Sequence, residues 1–281
     1  MHTKQFLFTA LATLTLLSFA TWHFYQPQAL SWLVCYATNL SASDFQKVDW
    51  AIVDQDGQPN TWKNGHTRFI AYLSLGEANL TRLYLKNAAN APYLLKANAD
   101  WPGAHWVDVR HPEWRKLILE TVLPLIAAKG FDGVFLDTLD VPIELERQDP
   151  QRYAGSKAAL IALIKEIKKR QPDWIIVSNN ALVLLPEITP VLSAALAEDV
   201  YTHFDFSQQR TVLTPPKESL EKVTALKVFA KQTGKPALTI LYTNALSPID
   251  LAKVTKQATE DGLDWYAAKN DLMTIGILEA P

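Results

Sequence analysis

The chain has few of the residues that mark disulfide-bonded, metal-binding or nucleic-acid-binding proteins. It contains one cysteine, Cys35, so no intramolecular disulfide can form. Its six histidines occur without HxxxH spacing and no CxxC pair is present, so we predict neither a metal site nor a cofactor. The formal net charge is -2 and no block of lysine or arginine occurs. These absences argue against nucleic acid as a partner.

Internal repeats, low-complexity tracts and long linkers are also absent. The 281 residues are 48% hydrophobic and 20% charged, which is enough to bury one large core. A single α/β barrel needs roughly 250 residues. We therefore expect one barrel domain over residues 26–281, preceded by a separate N-terminal segment over residues 1–24.

The N-terminal segment has the pattern of an export signal. Lys4 precedes an apolar run from Phe6 to Ala20, and Ser18 to Ala20 offers small residues for signal peptidase. The run also extends to Phe24, about the ~20 residues that span a bilayer, so an uncleaved anchor is the alternative. Either reading predicts a secreted, periplasmic or membrane-anchored extracytoplasmic protein that contacts a membrane only through this segment.

Short apolar runs alternate with amphipathic stretches along the rest of the chain, which predicts parallel strands joined by helices. The fold class expected is α/β, a single TIM-like (β/α)8 barrel. Nine runs predict strands, one more than such a barrel needs, and we expect His105–Val109 to lie outside the ring. The nine runs are Trp32–Tyr36, Trp50–Asp54, Phe69–Leu75, His105–Val109, Gly133–Asp137, Trp174–Ser178, Ala195–Val200, Ala237–Tyr242 and Leu272–Leu278. The predicted helices are Glu113–Ala128, Gln151–Arg170, Pro216–Thr233 and Pro248–Asp261.

The most informative stretch is Gly130–Asp140, which predicts a buried strand that ends in carboxylates. Valine, phenylalanine and leucine fill the strand, and Asp137 and Asp140 follow at its carboxyl end. In α/β barrels that end carries the active site. Asp132 precedes the strand, so we expect it at the opposite end or on the helix side, where it should affect stability more than turnover.

Polar residues at or near the ends of other strands extend the predicted site. Carboxylates and amides bind sugar hydroxyls or amines, so this collection favours a carbohydrate site. The residues expected to line the pocket with Asp140 are Asp54, Tyr72, Ser74, Glu77, Asn179 and Tyr242. Asn179 and Tyr242 are further expected to donate hydrogen bonds to Asp137.

Asp137 and Glu198 form the best carboxylate pair for catalysis. Glycoside hydrolysis needs one carboxyl group to protonate the leaving oxygen and another to attack the anomeric carbon or activate water. Asp199, beside Glu198, should raise the proton affinity of Glu198 if the two carboxylates come close. We expect Glu198 to be the proton donor, with a raised pKa, and Asp137 to stay ionised.

Four motifs carry a resemblance to a known family. In order and spacing they resemble the endo-α-1,4-polygalactosaminidase family, glycoside hydrolase family 114, over roughly residues 32–278. The motifs are Tyr72-Leu-Ser74-Leu-Gly76-Glu77, Gly130-Phe-Asp132-Gly133-Val-Phe-Leu-Asp137-Thr-Leu-Asp140, Ser178-Asn179-Asn180 and Ala197-Glu198-Asp199.

The resemblance implies a TIM-like barrel that cleaves a galactosamine-containing exopolysaccharide without a metal, with Asp137 as nucleophile and Glu198 as acid/base. Two alternatives stay open. The first is a non-catalytic carbohydrate-binding barrel that serves polysaccharide export or retention. The second is an unrelated barrel enzyme such as an aldolase or a phosphate-using lyase, which the absence of a strand-end lysine and of a glycine-rich phosphate loop disfavours.

Overall fold

The computed structural model describes residues 30–99 and 101–278. The predicted signal or anchor segment, residues 1–24, lies outside the described residues. In chain order the strands of the described part are β1 (Trp32–Cys35), β2 (Trp50–Val53), β3 (Arg68–Ser74), β4 (Glu77–Asn79), β5 (Leu94–Ala97), β6 (Ala104–Val107), β7 (Gly133–Asp137), β8 (Ile175–Asn179), β9 (Ala194–Ala197), β10 (Thr202–Asp205), β11 (Arg210–Leu213), β12 (Ala237–Tyr242), β13 (Asp264–Ala268) and β14 (Ile277–Leu278).

Helices follow most of the barrel strands and cover the outside of the sheet. Within the described residues they are α1 (Pro59–Trp62), α2 (Pro112–Leu117), α3 (Leu123–Ala128), α4 (Asp140–Gln148), α5 (Ser156–Arg170), α6 (Leu185–Ile188), α7 (Pro216–Thr233) and α8 (Pro248–Glu260). Short 3-10 turns lie at Ala42–Phe45, Leu83–Leu85, Leu182–Leu184 and Thr189–Val191, and a π-helical turn, Ile118–Val122, joins α2 to α3.

The main sheet has the order β1-β2-β3-β7-β8-β9-β12-β13-β14. Its first eight strands are parallel, and β14 pairs antiparallel with β13. Strands β1, β9 and β12 are buried along their whole length, as expected for parallel strands that face a barrel interior on one side and helices on the other. The predicted TIM-like barrel is confirmed.

The barrel is nearly closed, and its seam lies between β13 and β1. In the described residues no backbone ladder joins these two strands. The Trp32 and Tyr266 rings meet across the seam with centroids 5.6 Å apart, and Tyr36 N donates to Leu272 O at 2.8 Å. Side-chain packing and one loop carbonyl thus close the ring where strand pairing ends.

Several predicted elements differ from the structure. His105–Val109 does lie outside the ring, because β6 pairs with β4 and β5 in a small antiparallel sheet. The eighth ring strand, however, is β13, and the predicted strand Leu272–Leu278 contributes only the short β14. A π-helical turn interrupts the helix predicted over Glu113–Ala128 just before Pro124, whose ring cannot fit the regular helix and whose nitrogen carries no hydrogen.

Among the described residues, no helix has both the length and the apolar character needed to cross a bilayer. Cys35 is a free thiol buried in β1. Two antiparallel insertions rise at the carboxyl-end mouth of the barrel. One is the β4–β5–β6 sheet that follows β3, and the other is the β10–β11 hairpin that follows β9.

Candidate active site

Asp137 ends strand β7 at the carboxyl mouth of the barrel. Gly133 lets β7 approach β8 closely, since a Cβ there would lie 2.1 Å from Ile175 O. On the other side β7 pairs with β3, which carries Tyr72 beside Asp137. The Tyr72 hydroxyl donates to Asp137 Oδ2 at 2.7 Å.

The side-chain amide of Asn179 joins the two predicted catalytic carboxylates. Its Nδ2 donates to Asp137 Oδ1 at 2.8 Å and to Glu198 Oε1 at 3.0 Å. Asp137 Oδ1 and Glu198 Oε1 therefore cannot be farther apart than the sum of these two distances. The structure brings Asp137 and Glu198 into one site, as predicted.

Among the residues that the structure describes, no cationic side chain pairs with the Glu198 carboxyl group. Burial raises its pKa to about 8, and the negative charges of Asp137 and then Asp199 act in the same direction. Hydrogen bonds from Asn179 and Tyr242 only partly offset this effect. Tyr242 thus contacts Glu198, and Tyr72 supplies the second donor to Asp137 that the sequence analysis assigned to Tyr242.

The backbone is strained directly after Asp137, Asn179 and Glu198. Thr138, Asn180 and Asp199 have φ angles of 57°, 51° and 56°, in the left-handed region that L-residues other than glycine rarely adopt. Asn180 accepts a hydrogen bond from Glu198 N on its side-chain oxygen at 3.0 Å. Such strain clusters at functional sites, where surrounding contacts maintain it.

A cavity of about 430 Å³ opens above the carboxylates. Asp137, Glu198 and six of the predicted binding residues line it: Asp54, Tyr72, Ser74, Glu77, Asp140 and Tyr242. The seventh, Asn179, is only 2% exposed and lies beneath the carboxylates instead of facing the cavity. From this position Asn179 holds Asp137 and Glu198 in place through its hydrogen bonds.

Two of the lining residues already have strong partners. Asp54 forms a bidentate pair with Arg82, at 2.6 and 2.7 Å, and Arg82 also binds Asp56 at 2.9 Å. The Ser74 hydroxyl donates to Glu77 O at 2.8 Å. Asp54 and Ser74 are therefore tied within the protein, and their first contribution is to shape the cavity wall.

Negative charge dominates the cavity. Burial is the main cause of raised pKa values at Glu77 and Asp140, and the charge of Asp137 adds to it. Of the described lining residues, Arg82 is the one with a permanent positive charge, and Asp54 and Asp56 neutralise it. An ammonium group on a ligand would supply the missing counter-charge.

Several lining residues were not predicted from sequence. Tyr36 directly follows β1, so a systematic search of strand ends would have found it. Arg82, Tyr84 and Asn98 come from the insertion after β3, and Asn98 donates to Glu77 Oε1 at 2.8 Å. Asn270, Asp271 and Leu272 come from the loop after β13. Loop residues such as these carry no periodicity that marks them.

Asp132 lies at the opposite end of β7, as predicted. It accepts a hydrogen bond from Phe69 N at 2.9 Å and pairs with Arg68 at 3.3 Å. Within the described residues, no group of three histidine, cysteine, aspartate or glutamate side chains has a geometry that would hold a metal ion.

Comparisons with known proteins agree with this architecture. The model of glycoside-hydrolase family GH114 matches residues 14–280. An uncharacterized protein of Deinococcus radiodurans is 29% identical over 248 residues, 82% of this chain and 75% of that protein. An uncharacterized protein of Methanocaldococcus jannaschii is 31% identical over 188 residues, 62% of this chain and 51% of that protein.

Two solved structures share the fold. The glycoside hydrolase domain of PelA from Pseudomonas aeruginosa has a TM-score of 0.76 at 21% identity and covers 90% of this chain and 100% of its own. Aspergillus fumigatus Ega3, solved in complex with galactosamine, has a TM-score of 0.66 at 17% identity, with 89% and 94% covered. At these identities the likeness concerns the fold.

Proposed function

The chain belongs to glycoside-hydrolase family GH114 and is a glycoside hydrolase, and we propose that it cleaves a galactosamine-containing polysaccharide with Asp137 as nucleophile and Glu198 as acid/base. One observation carries this proposal. A single buried amide nitrogen, Asn179 Nδ2, binds one oxygen of each carboxylate at the floor of the cavity, and a covalent mechanism needs two carboxyl groups that lie close together.

The two carboxylates have environments that suit different roles. Asp137 receives hydrogen bonds from Tyr72 and Asn179, which hold its carboxylate oxygens in a fixed orientation at the cavity, as a nucleophile requires. The pKa of Glu198 is raised to about 8, chiefly by burial, so Glu198 carries a proton at neutral pH. A buried carboxyl group with a raised pKa is the usual acid of such a catalytic pair.

The proposed reaction has two steps. Asp137 attacks the anomeric carbon while Glu198 gives its proton to the glycosidic oxygen, so the leaving chain departs as an alcohol and an ester joins Asp137 to the sugar. Glu198, now ionised, takes a proton from water, which attacks the same carbon and releases Asp137. The configuration of the anomeric carbon is retained.

The charge of the cavity supports an amino sugar as substrate. Glu77, Asp137 and Asp140 face the cavity without a cationic partner among the described residues, and Arg82 is neutralised by Asp54 and Asp56. Deacetylated galactosamine carries an ammonium group at neutral pH. The acidic cavity therefore favours this amino sugar over a neutral hexose. The galactosamine in the Ega3 structure is in keeping with that preference.

We further propose that the enzyme acts outside the cytoplasm. The support is the sequence pattern of Lys4 followed by the apolar run Phe6 to Ala20. Expression of the whole chain, followed by cell fractionation and N-terminal sequencing, tests this proposal. A product that stays in the cytoplasm with its N-terminus intact would contradict it.

The reaction and the substrate are tested together with partially deacetylated galactosaminan and with neutral galactan. We expect the purified barrel domain to release reducing ends from galactosaminan and few from galactan. The first product, observed by NMR before mutarotation, should have the configuration of the substrate. Inversion would reassign Asp137 as a general base, and binding of galactosaminan without any release would favour a non-catalytic carbohydrate-binding barrel.

A further inference from the structure

The two insertions at the barrel mouth touch through exposed aromatic rings. Trp101 lies in the loop from β5 to β6, and Phe206 lies in the turn of the β10–β11 hairpin. Their ring centroids are 6.2 Å apart in an edge-to-face arrangement. Phe204, on β10, continues the group with a centroid 5.1 Å from that of Phe206. We call these three residues the aromatic cluster.

The exposure of the aromatic cluster is unusual for rings of this size. Trp101 is 53% exposed and Phe206 is 50% exposed, although the hydrophobic effect favours burial of both. Edge-to-face packing buries one ring edge against one face, which leaves other ring faces open to a ligand. Exposed aromatic surface next to a cavity is typical of a binding site.

Position connects the aromatic cluster to the active site. Trp101 lines the same cavity as Asp137 and Glu198. The insertions that carry Trp101 and Phe206 leave the barrel after β3 and β9, and these strands are separated in the ring by β7 and β8. The aromatic contact therefore spans part of the mouth above the strands that carry Asp137 and Asn179.

The turn that carries Phe206 is held by its own hydrogen bonds. Asp205 Oδ1 accepts from Ser207 N at 2.9 Å and from Gln208 N at 3.0 Å. Opposite it, Trp101 O accepts from Ala104 N at 3.0 Å. Because the turn that carries Phe206 is tied by these bonds, its backbone needs little reordering when a ligand binds.

We propose that the aromatic cluster is a stacking subsite for one pyranose ring of the polysaccharide, away from the bond that is cleaved. The apolar face of a pyranose stacks on an aromatic ring whether or not the sugar carries an amine, so this subsite holds the chain without selecting for charge. The inference rests on the proposed function, because it needs a polymeric carbohydrate substrate. It predicts that the enzyme prefers long chains over single sugars.

Kinetics with a polymer and a monosaccharide test the subsite. For Trp101→Ala we expect the loss of kcat/KM on polygalactosamine to exceed the loss on galactosaminyl fluoride by about 10-fold, mostly through KM, which corresponds to about 1.4 kcal/mol and lies within the range of one aromatic contact. Phe206→Ala should show the same pattern to a smaller degree, and Trp101→Phe should recover most of the loss. Leu213→Ala, an exposed apolar change in the same hairpin, is the matched control.

Each outcome decides the inference. Equal losses on both substrates, or none on either, would overturn the subsite while the hydrolase function stands. A change in oligomeric mass without a change in KM would identify the aromatic cluster as a contact between copies instead. If the wild type cleaves neither substrate, the proposed function fails, and retardation in gels that contain polygalactosamine or neutral galactan then decides the subsite. Weaker retardation of Trp101→Ala than of wild type would support it, whereas equal or no retardation would overturn it.

Discussion

The two ends of strand β7 each carry an aspartate, and the protein holds the two in opposite ways. Asp132, at the amino end, pairs with a cation, Arg68, and accepts from the backbone of Phe69. Asp137, at the carboxyl end, is bound by the neutral donors Tyr72 and Asn179. The aspartate at the amino end is neutralised by its own chain, whereas Asp137, the proposed nucleophile, lines the cavity without a cationic partner among the described residues.

The largest expected effect follows from replacing the aspartate at the carboxyl end. Asp137→Asn removes the proposed nucleophile, so we expect kcat on polygalactosamine to fall by more than about 10³-fold. Binding of the polymer should persist, because the other cavity residues remain. Steady-state kinetics and affinity electrophoresis measure the two effects. Substantial remaining turnover would remove Asp137 from the mechanism.

Glu198→Gln should separate the two carboxylates by their roles. The variant lacks the acid that protonates the leaving oxygen, so we expect cleavage of the polymer to fall by about 10²–10⁴-fold. Formation of the glycosyl-enzyme from galactosaminyl fluoride, whose leaving group needs no proton, should be largely spared. Asp137→Asn should lose activity on both substrates. Full activity of Glu198→Gln on the polymer would exclude Glu198 as the acid.

Asn179→Leu tests the amide that joins the two carboxylates. Leucine has a similar volume but no donor, so both carboxylates lose a hydrogen bond and their positions are no longer fixed to each other. We expect kcat to fall by about 10²-fold, the scale that geometric misplacement costs. The pH profile should shift upward at the acid, because Asn179 lowers the pKa of Glu198. An unchanged profile with unchanged kcat would show that the amide is dispensable.

Stability should respond to pH through Glu198. The pKa of Glu198 in the folded state is raised from 4.5 to about 8 by burial and by Asp137. The folded protein therefore prefers the neutral acid, and the stability that Glu198 contributes is lost as pH rises from 4.5 towards 8. Glutamine mimics the neutral acid, so the Tm difference between Glu198→Gln and wild type should widen across this range. A constant difference between pH 5 and pH 9 would contradict this account.

The smallest effect is expected at the amino end of β7. Asp132→Asn weakens a partly exposed pair with Arg68 and the hydrogen bond from Phe69 N. We expect a loss of about 1 kcal/mol, which lowers the Tm of a domain of this size by about 2–4 °C, while kcat on the polymer stays close to that of wild type. A large fall in kcat at an unchanged Tm would contradict the prediction that Asp132 serves stability and Asp137 serves turnover.

The sequence predicted the elements that have one strong pattern. The run from Gly133 to Asp137 fills a buried strand, and its terminal carboxylate had to lie at the active end of a barrel. Strand β13 was missed because Asp264 and its two alanines have low strand propensity, although its tryptophan and tyrosine favour a strand. Helix α4 was missed because Asp140 and Pro142 suggest a loop, although a proline in the first turn is compatible with a helix.

The site was predictable where its residues lie at strand ends. It was not predictable where its residues lie in loops or where their role depends on side-chain orientation. Asp137, Glu198 and Tyr72 were found from their strands. Arg82 was not, because only the folded chain shows that Asp54 is its partner. The position of Asn179 beneath the carboxylates depends on the direction of its side chain at the end of β8. The sequence pattern does not predict that this side chain meets Asp137 and Glu198.

The seam between β13 and β1 implies that, on heating, the protein loses catalytic activity before it loses the secondary structure of the barrel. Each of the other junctions in the ring is a backbone ladder, whereas in the described part of the chain this one relies on the Trp32 and Tyr266 rings and on the carbonyl of Leu272. Leu272 also lines the cavity. Local opening should therefore begin here and expose the amide of Tyr36 to hydrogen exchange. Catalysis would then fade before the circular dichroism of the barrel does, because the weakest junction of the fold is also a wall of the site.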